Sequence, residues 1–369
     1  MNRKAARRLT KMVIYSRGIA LIELMIAMVL GLVIIGAVTG IMLSNIQGFR
    51  TTRGLSQLQD SARVGYELLA RDIRQAGNVP CGNQFGPTVA GIQPFRIVNI
   101  LNGSQAGPNA DVPWQYDFDN AFIGFEADEE LEGLNNQIPG TESLVILSGD
   151  ANGTYMETYD TDNNSANFTV ATADGSPPSF NDGEILLACN QKQGTIFQAS
   201  NGSGNNANRL VVNTGNNQQP GNCTKGLGYP GEGQTLCTTN GTRADYGPNT
   251  VIAKLNSTAW YIGDNNRPDE GGRSLYMAKL GVNASGNAEL IPIEIAAGVT
   301  DMRLRYRLRG GAEFVDADAV GSQWAEVNAV EITLDLLSQD QNISTSTGVE
   351  QGRIGRGFTS IVAIRNRSL

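Results

Sequence analysis

One acidic residue lies inside the most apolar stretch of the chain. Glu23 is the single charge between Ile19 and Leu43. An ionised carboxylate in hydrocarbon costs at least ~2.5 kcal/mol, so it is normally kept where it finds a partner. The free amine at the start of a neighbouring helix is such a partner, because the two groups neutralise each other. The residue type and its position therefore predict that Glu23 makes a contact between subunits.

The residues before this run are basic and end in a small residue, Gly18. The basic residues of this leader are Arg3, Lys4, Arg7, Arg8, Lys11 and Arg17. An ordinary secretory signal is cut behind small residues after its apolar run, and no such site follows Leu43. Cleavage after Gly18 would instead leave the apolar helix on the mature chain, with Ile19 as its first residue. Basic residues hold the adjacent end of a membrane span in the cytoplasm, so the chain after Leu43 is predicted to lie outside.

The arrangement of Gly18, Ile19 and Glu23 behind a basic leader resembles the class III signal of the type IV prepilins. The resemblance implies that a prepilin peptidase cuts after Gly18 and that the new N-terminus, Ile19, is N-methylated. It also implies that Glu23, the fifth residue of the mature chain, is the glutamate used in filament assembly. Most members have Phe where Ile19 stands, and Ile is an apolar substitute.

The helical period continues beyond the membrane run. Apolar residues recur at three- and four-residue steps, as expected for one face of an amphipathic helix: Leu55, Leu58, Ala62, Tyr66, Leu69, Ile73 and Ala76. Gly77 and Pro80 then end the helix. A run of about 20 apolar residues is long enough to cross a bilayer. Residues 19–77 are therefore predicted to form one helix whose first half lies in the membrane and whose second half is amphipathic.

After Cys81 the period changes to two, which predicts short strands separated by residues rich in Asn, Gly, Asp and Pro. The expected strands are 121–125, 143–147, 168–171, 184–188, 195–198, 210–212 and 251–262. Residues 150–250 are especially rich in Asn and Gly, which predicts insertions on a smaller sheet. The predicted fold is α+β and pilin-like: a long N-terminal helix packed on an antiparallel β-rich head with long loop insertions. The predicted domains are a leader 1–18, the helix 19–77 and the head 78–369.

Two strands near the C-terminus carry opposite charges on one face. Arg303, Arg305, Arg307 and Arg309 alternate with apolar residues, and so do Glu331 and Asp335. Adjacent antiparallel strands would pair these charges, which is preferred to nucleic-acid binding by the arginines. Cleavage after Gly18 would leave 22 basic against 36 acidic residues, a net charge near −14. A chain this acidic is a poor general binder of nucleic acid.

The C-terminal segment resembles the PilW family of minor pilins and the related minor pseudopilin J. The matching residues are a Val-Thr-Asp-Met-x-Leu-x-Tyr strand from Val299, then Trp324, a Val-Glu-Ile-x-Leu strand from Val330, and Ala-x-Arg-Asn from Ala363. The resemblance covers the N-terminal sixty and the last seventy residues, and the middle of the chain is unmatched.

Four cysteines, Cys81, Cys189, Cys223 and Cys237, lie in the part predicted to be exported, where disulfides persist. Three pairings are possible. The favoured one joins Cys223 to Cys237 across a short loop and Cys81 to Cys189 between the helix end and a strand.

No metal, cofactor or catalytic site is predicted. The chain has no histidine, P-loop or dinucleotide-binding glycine motif. The segment from Asp160 begins like a calcium loop, but Ser165 and Ala171 replace the required Gly and acid, so a turn is expected.

The expected function is that of a minor pilin rather than an enzyme, assembled through its N-terminal helix and taking part in priming pilus assembly at the tip. Expected partners are other minor and major pilins, the prepilin peptidase, the inner-membrane assembly platform and, before assembly, the membrane. The expected location is the inner membrane, with a periplasmic head, and then the extracellular pilus. The alternatives are a J-like minor pseudopilin of a type II secretion system and an adhesin head at the pilus tip.

Overall fold

A computed structural model describes residues 21–82, 95–103, 112–160, 166–176, 178, 180–201, 208–214, 217–231, 235–344 and 352–367. Contacts divide the chain into two units, Met1–Arg53 and Gly54–Leu369. The second unit is called the globular unit below.

The first element is a helix of 55 residues, α1 (Leu21–Gln75). It ends as the sequence predicts: Gly77 takes a φ of +68°, a conformation that costs glycine little, and Asn78 donates its amide to Gln75 O at 2.9 Å. Residues 21–53 are called the apolar half of α1 and residues 54–75 the packed half. Within the described residues α1 thus has an exposed apolar half and a half with one buried face.

The packed half buries the face that the sequence predicts. Leu58, Ala62, Leu69 and Ile73 are buried in the largest hydrophobic cluster of the globular unit, which also holds Trp260. The hydroxyl of Tyr66 donates to Ile332 O at 2.9 Å. On the opposite face Arg63 pairs with Glu67 at 2.8 Å, in a fully exposed i,i+4 pair.

The globular unit is rich in strands, which are numbered in chain order. They are β1 (Arg96–Asn99), β2 (Phe122–Phe125), β3 (Ser143–Asp150), β4 (Thr154–Asp160), β5 (Ala166–Thr172), β6 (Ile185–Cys189), β7 (Gln193–Gln198), β8 (Ser200–Asn201), β9 (Arg209–Val212), β10 (Val251–Asp264), β11 (Arg273–Val282), β12 (Ala288–Ala297), β13 (Val299–Leu308), β14 (Val327–Leu337) and β15 (Gly355–Ala363). A short helix, α2 (Ala317–Val320), lies between β13 and β14.

Among the described residues, twelve strands form a large sheet and three form a small one. The large sheet runs β1-β7-β6-β10-β4-β5-β9-β8, and β10 also pairs with β3 and β11, which carry β2 and β12. The small sheet has the order β13-β14-β15. The prediction of an antiparallel head is wrong at one place, because β1 runs parallel to β7 with Arg96 opposite Gln193. A parallel pair needs a long connection, and almost a hundred residues separate these two strands.

The middle of the chain also differs from its prediction. Strands β4 to β9 are part of the large sheet rather than decorations on a smaller one. Their apolar residues explain this, because Met156, Phe168, Phe197 and Leu210 are buried together in a third hydrophobic cluster. Asn and Gly are concentrated in the turns between these strands, so average composition conceals the alternating apolar positions.

The charged faces of the small sheet pair as predicted. Arg305 lies opposite Glu331 in the register of β13 and β14, and their side chains approach to 3.9 Å. Arg303 reaches Asp335 diagonally at 2.6 Å. These arginines therefore contact acids of their own sheet.

Two disulfides join the four cysteines. Cys81 is bonded to Cys189 across 108 residues, and Cys223 to Cys237 across 14 residues. This is the pairing favoured by the sequence. The first bond ties the segment after α1 to the end of β6.

Candidate assembly site

Glu23 lies in the first turn of α1 as described. A carboxylate at this end of a helix is favoured by the positive end of the helix dipole. Within the described residues, no hydrogen bond or ion pair of the chain itself reaches Glu23, and its side chain is exposed. An acid in this position is available to a group supplied by another molecule.

Glu23 is surrounded along α1 by a large uncovered apolar surface. The large apolar side chains from Leu21, at 77% exposure, to Phe49, at 72%, are all exposed in the isolated chain. The most apolar window of α1 has a mean hydropathy of 2.7 and none of it is buried. By length and composition α1 can cross a membrane, and the chain has one N-terminal apolar helix and a separate globular unit.

The threonine hydroxyls of the apolar half are satisfied within the helix. Thr39 donates its hydroxyl to Ile35 O at 2.7 Å, and Thr51 donates to Gln47 O at 3.0 Å. Back-bonding of this kind removes the cost of placing a hydroxyl in an apolar environment. Glu23 differs from these residues because its charge cannot be neutralised in this way.

Glycines give this surface places for close approach. A Cβ added at Gly31, Gly36, Gly40 or Gly48 would meet nothing within 4 Å. Small residues at helix surfaces allow two backbones to approach closely in lipid. The apolar half therefore carries an acid, an exposed apolar surface and small residues that leave room for a close neighbour.

The sequence predictions for this site are only partly described. Gly18 and Ile19, the predicted cleavage and N-methylation positions, lie outside the described residues. The structure therefore describes Glu23 alone of these three residues. Residues 161–165, in which the calcium-like segment falls, also lie outside the described residues.

The globular unit contains a second isolated acid, which the sequence analysis missed. Glu142 precedes β3, is half-buried, and accepts the amide of Leu304 at 2.6 Å. Burial, followed by the nearby charges of Glu126, Asp301 and Asp316, raises the pKa of Glu142 from 4.5 to about 7. Nothing in the sequence marks this residue except its position before the apolar strand 143–147.

No metal centre is evident in the part of the chain that the structure describes. There, no group of three or more His, Cys, Asp or Glu residues is placed to hold an ion.

Comparisons with protein-family models, with curated proteins and with solved structures find no match for this chain. The likeness to type IV pilins therefore depends on the residues quoted in the sequence analysis.

Proposed function

We propose that this protein is a minor pilin of a type IV pilus. In this proposal the chain is cut after Gly18, and the amine of Ile19 approaches Glu23 of a neighbouring subunit. The observation that carries it is Glu23, an exposed acid at the fifth position after the predicted cut and the single charge of the apolar run 19–43. Charge pairing between staggered helices would fix their axial register, because a misplaced subunit would leave both charges unpaired in hydrocarbon.

The packed half of α1 supports the same proposal. It anchors the helix in a large globular unit, whereas the large apolar side chains of the apolar half are exposed and can exchange lipid for the helices of neighbouring subunits. Head-to-tail contacts between such helices do not close into a ring and so would give a fibre. A globular unit this large suits a place at the filament tip, where it does not crowd neighbours on every side.

A minor pseudopilin of a type II secretion system would use the same N-terminal chemistry. The size of the globular unit favours the pilus, because the strands of the unmatched middle enlarge the head. An adhesive role of the head is compatible with either assembly.

The assembly proposal is tested by Glu23→Gln, which removes the charge and keeps the shape. Glu67→Gln is the matched control, because Glu67 lies in the packed half of the same helix and pairs only with exposed Arg63. We expect Glu23→Gln to reduce incorporation into sheared filaments by about tenfold or more, as loss of an ion pair in lipid would require. The control should assemble normally. Equal incorporation of Glu23→Gln and wild type would overturn the proposal.

A further inference from the structure

The two edge strands of the small sheet, β13 and β15, differ in whether other described parts of the chain bond to their outer backbone groups. On the outer edge of β13, Leu304 donates its amide to Glu142 at 2.6 Å. Two residues later Tyr306 and Val315 exchange backbone hydrogen bonds of 2.7 and 2.8 Å. The amides that point away from β14 on this edge are thus bonded to other parts of the chain.

Backbone amides alternate in direction along a strand. These bonds therefore also show which amides of β13, β14 and β15 point toward which neighbouring strand. Leu304 and Tyr306 point outward, so the alternate residues of β13, including Arg305, bond to β14. It follows that Ile332 and Leu334 of β14 face β15. In the register Ile332 lies opposite Ser360 and Leu334 opposite Phe358, and Val362 lies opposite Val330. The amide of Ile364, which donates to Asn328 O at 2.9 Å, follows the same alternation.

The remaining residues of β15 therefore point their backbone groups away from the sheet. These residues are Gly357, Thr359 and Ile361. Within the described residues, no backbone hydrogen bond reaches their amides. The side chain of Ile361 is 58% exposed.

β15 also lacks the usual protection of an edge strand. Such strands are commonly short, bulged, or marked by Pro or Lys, which prevents unwanted pairing. β15 has nine residues without Pro, Lys or an acid, and its register with β14 is unbroken.

The edge strand β12 of the large sheet shows the contrast. It contains Pro292 and a register shift opposite Leu275 and Tyr276, and the amide of Ala288 is bonded to Gln219 O at 2.8 Å. Among the residues that the structure describes, the chain thus blocks β12 and covers β13, whereas β15 has neither feature.

We propose that β15 is a docking edge on which an extended segment of a different subunit adds a fourth strand to the small sheet. Donors and acceptors that repeat every second residue, about 6.6 Å apart, are matched by an extended backbone. Exposed Ile361 favours an apolar residue beside it. Arg356 and the lack of acids in β15 favour an acidic partner, whereas two copies of β15 would supply arginines without a carboxylate. Only the identity of the partner as a pilin subunit rests on the proposed function.

Hydrogen exchange of the full chain tests this edge at single residues. Exchange is compared between purified protein in detergent micelles and the membrane and filament fraction of producing cells. We expect the amides of Gly357, Thr359 and Ile361 to exchange about tenfold or more slowly in the cell-derived fraction. The amides of Ser360 and Val362 should be protected in both samples. Equal exchange of the three outward amides in the two samples would overturn the proposal.

A pair of variants separates backbone pairing from other causes. Thr359→Pro removes an outward amide without removing a bond to β14, and Thr359→Val keeps that amide while losing the same hydroxyl. We expect Thr359→Pro alone to lose the protection at Gly357 and Ile361, with its thermal unfolding close to that of Thr359→Val. Protection that survives in Thr359→Pro would contradict strand addition.

Three further outcomes show which part of the account is wrong. Protection that appears in micelles and grows with protein concentration would assign the edge to a second copy and overturn the choice of a different subunit. Protection that persists in Glu23→Gln, together with normal incorporation of that variant, would retain the edge and reject the pilin proposal. Incorporation of the wild type without protection would reject the edge alone.

Discussion

The two halves of α1 both carry glycines and leucines, but these residues have opposite surroundings. In the packed half, a Cβ added at Gly65 would lie 3.1 Å from Leu275 and 3.6 Å from Leu334, so this glycine permits close packing on the globular unit. In the apolar half, a Cβ added at Gly36 meets nothing within 4 Å. Leu69 is fully buried, whereas Leu32 is 70% exposed. A glycine or a leucine in a helix therefore does not by itself show whether its position is packed or exposed.

The carboxylates of the two units differ in the same way. Glu142 is held inside the globular unit by the amide of Leu304, whereas the described chain offers Glu23 no bond. A half-buried acid that accepts a hydrogen bond from its own chain affects the stability of the fold, and this effect depends on whether the acid is protonated. An exposed acid in an apolar helix is better explained by a partner outside the chain.

The largest expected effect comes from removing the Cys81–Cys189 disulfide, whose first cysteine follows the packed half of α1 in the chain. Replacing Cys81 and Cys189 by Ser together should lower the free energy of unfolding by about 4 kcal/mol, because this bond closes the longer loop. Replacing Cys223 and Cys237 should cost about 3 kcal/mol. Denaturant unfolding of the detergent-solubilised protein measures both. A larger loss from the second pair would contradict the role given to the Cys81–Cys189 bond.

Truncating one leucine in each half tests the comparison directly. Leu69→Ala should destabilise the globular unit by about 2–5 kcal/mol, because the side chain is fully buried. Leu32→Ala should leave that stability unchanged, since the Leu32 side chain is 70% exposed. Thermal unfolding followed by near-ultraviolet circular dichroism reports on the globular unit. A loss of stability in Leu32→Ala as large as in Leu69→Ala would break the comparison.

Enlarging one glycine in each half gives a smaller effect. Gly65→Val should cost about 1–3 kcal/mol, because its side chain must displace Leu275 or Leu334. Gly36→Val should not change the unfolding of the globular unit. The same denaturant titration applies, and an unchanged midpoint for Gly65→Val would show that the packing there is loose.

The smallest expected effect is a pH dependence set by Glu142. Its folded pKa of about 7 lies above its ordinary 4.5, so the folded protein binds more protons than the unfolded chain between these values. The free energy of unfolding should therefore fall as the pH rises through this range. Glu142→Gln removes this titration and still offers an oxygen to Leu304. At pH 8 it should be more stable than wild type by on the order of 1 kcal/mol, allowing for partial solvent screening.

Exposed Glu129→Gln serves as the control for that measurement. Between pH 4.5 and pH 8, where the titration of Glu142 affects stability, the unfolding midpoint of this variant should change with pH as that of the wild type does. If Glu142→Gln keeps the full pH dependence of the wild type, another group is responsible.

Much of the fold could be predicted because the spacing of apolar residues and the placement of charged residues indicate the same elements. The three- and four-residue spacing from Leu55 to Ala76 predicts the packed half, and alternation predicts β13 and β14 with Arg305 beside Glu331. The parallel pairing of β1 with β7 could not be predicted, because it depends on contacts between residues far apart in the chain. Alternation predicts β5, β6, β7 and β9, but their place in the large sheet could not be predicted, because Asn and Gly in the turns between them suggested insertions on a smaller sheet.

The two isolated carboxylates likewise differ in whether the sequence alone could identify them. Glu23 stands out in sequence because a charge within an apolar run is costly. The raised pKa of Glu142 depends on burial and on Glu126, Asp301 and Asp316, which no spacing in the sequence brings together. The different surroundings of Gly36 and Gly65 likewise become visible only when the globular unit is folded.

Mass spectrometry of the N-terminus of protein isolated from cells tests the central claim most directly. The account requires a free amine to be created next to Glu23, so it predicts a mature chain that begins at Ile19 and carries a methyl group on that amine. A chain that retains the basic leader through Gly18, or that begins after Leu43, would contradict the account.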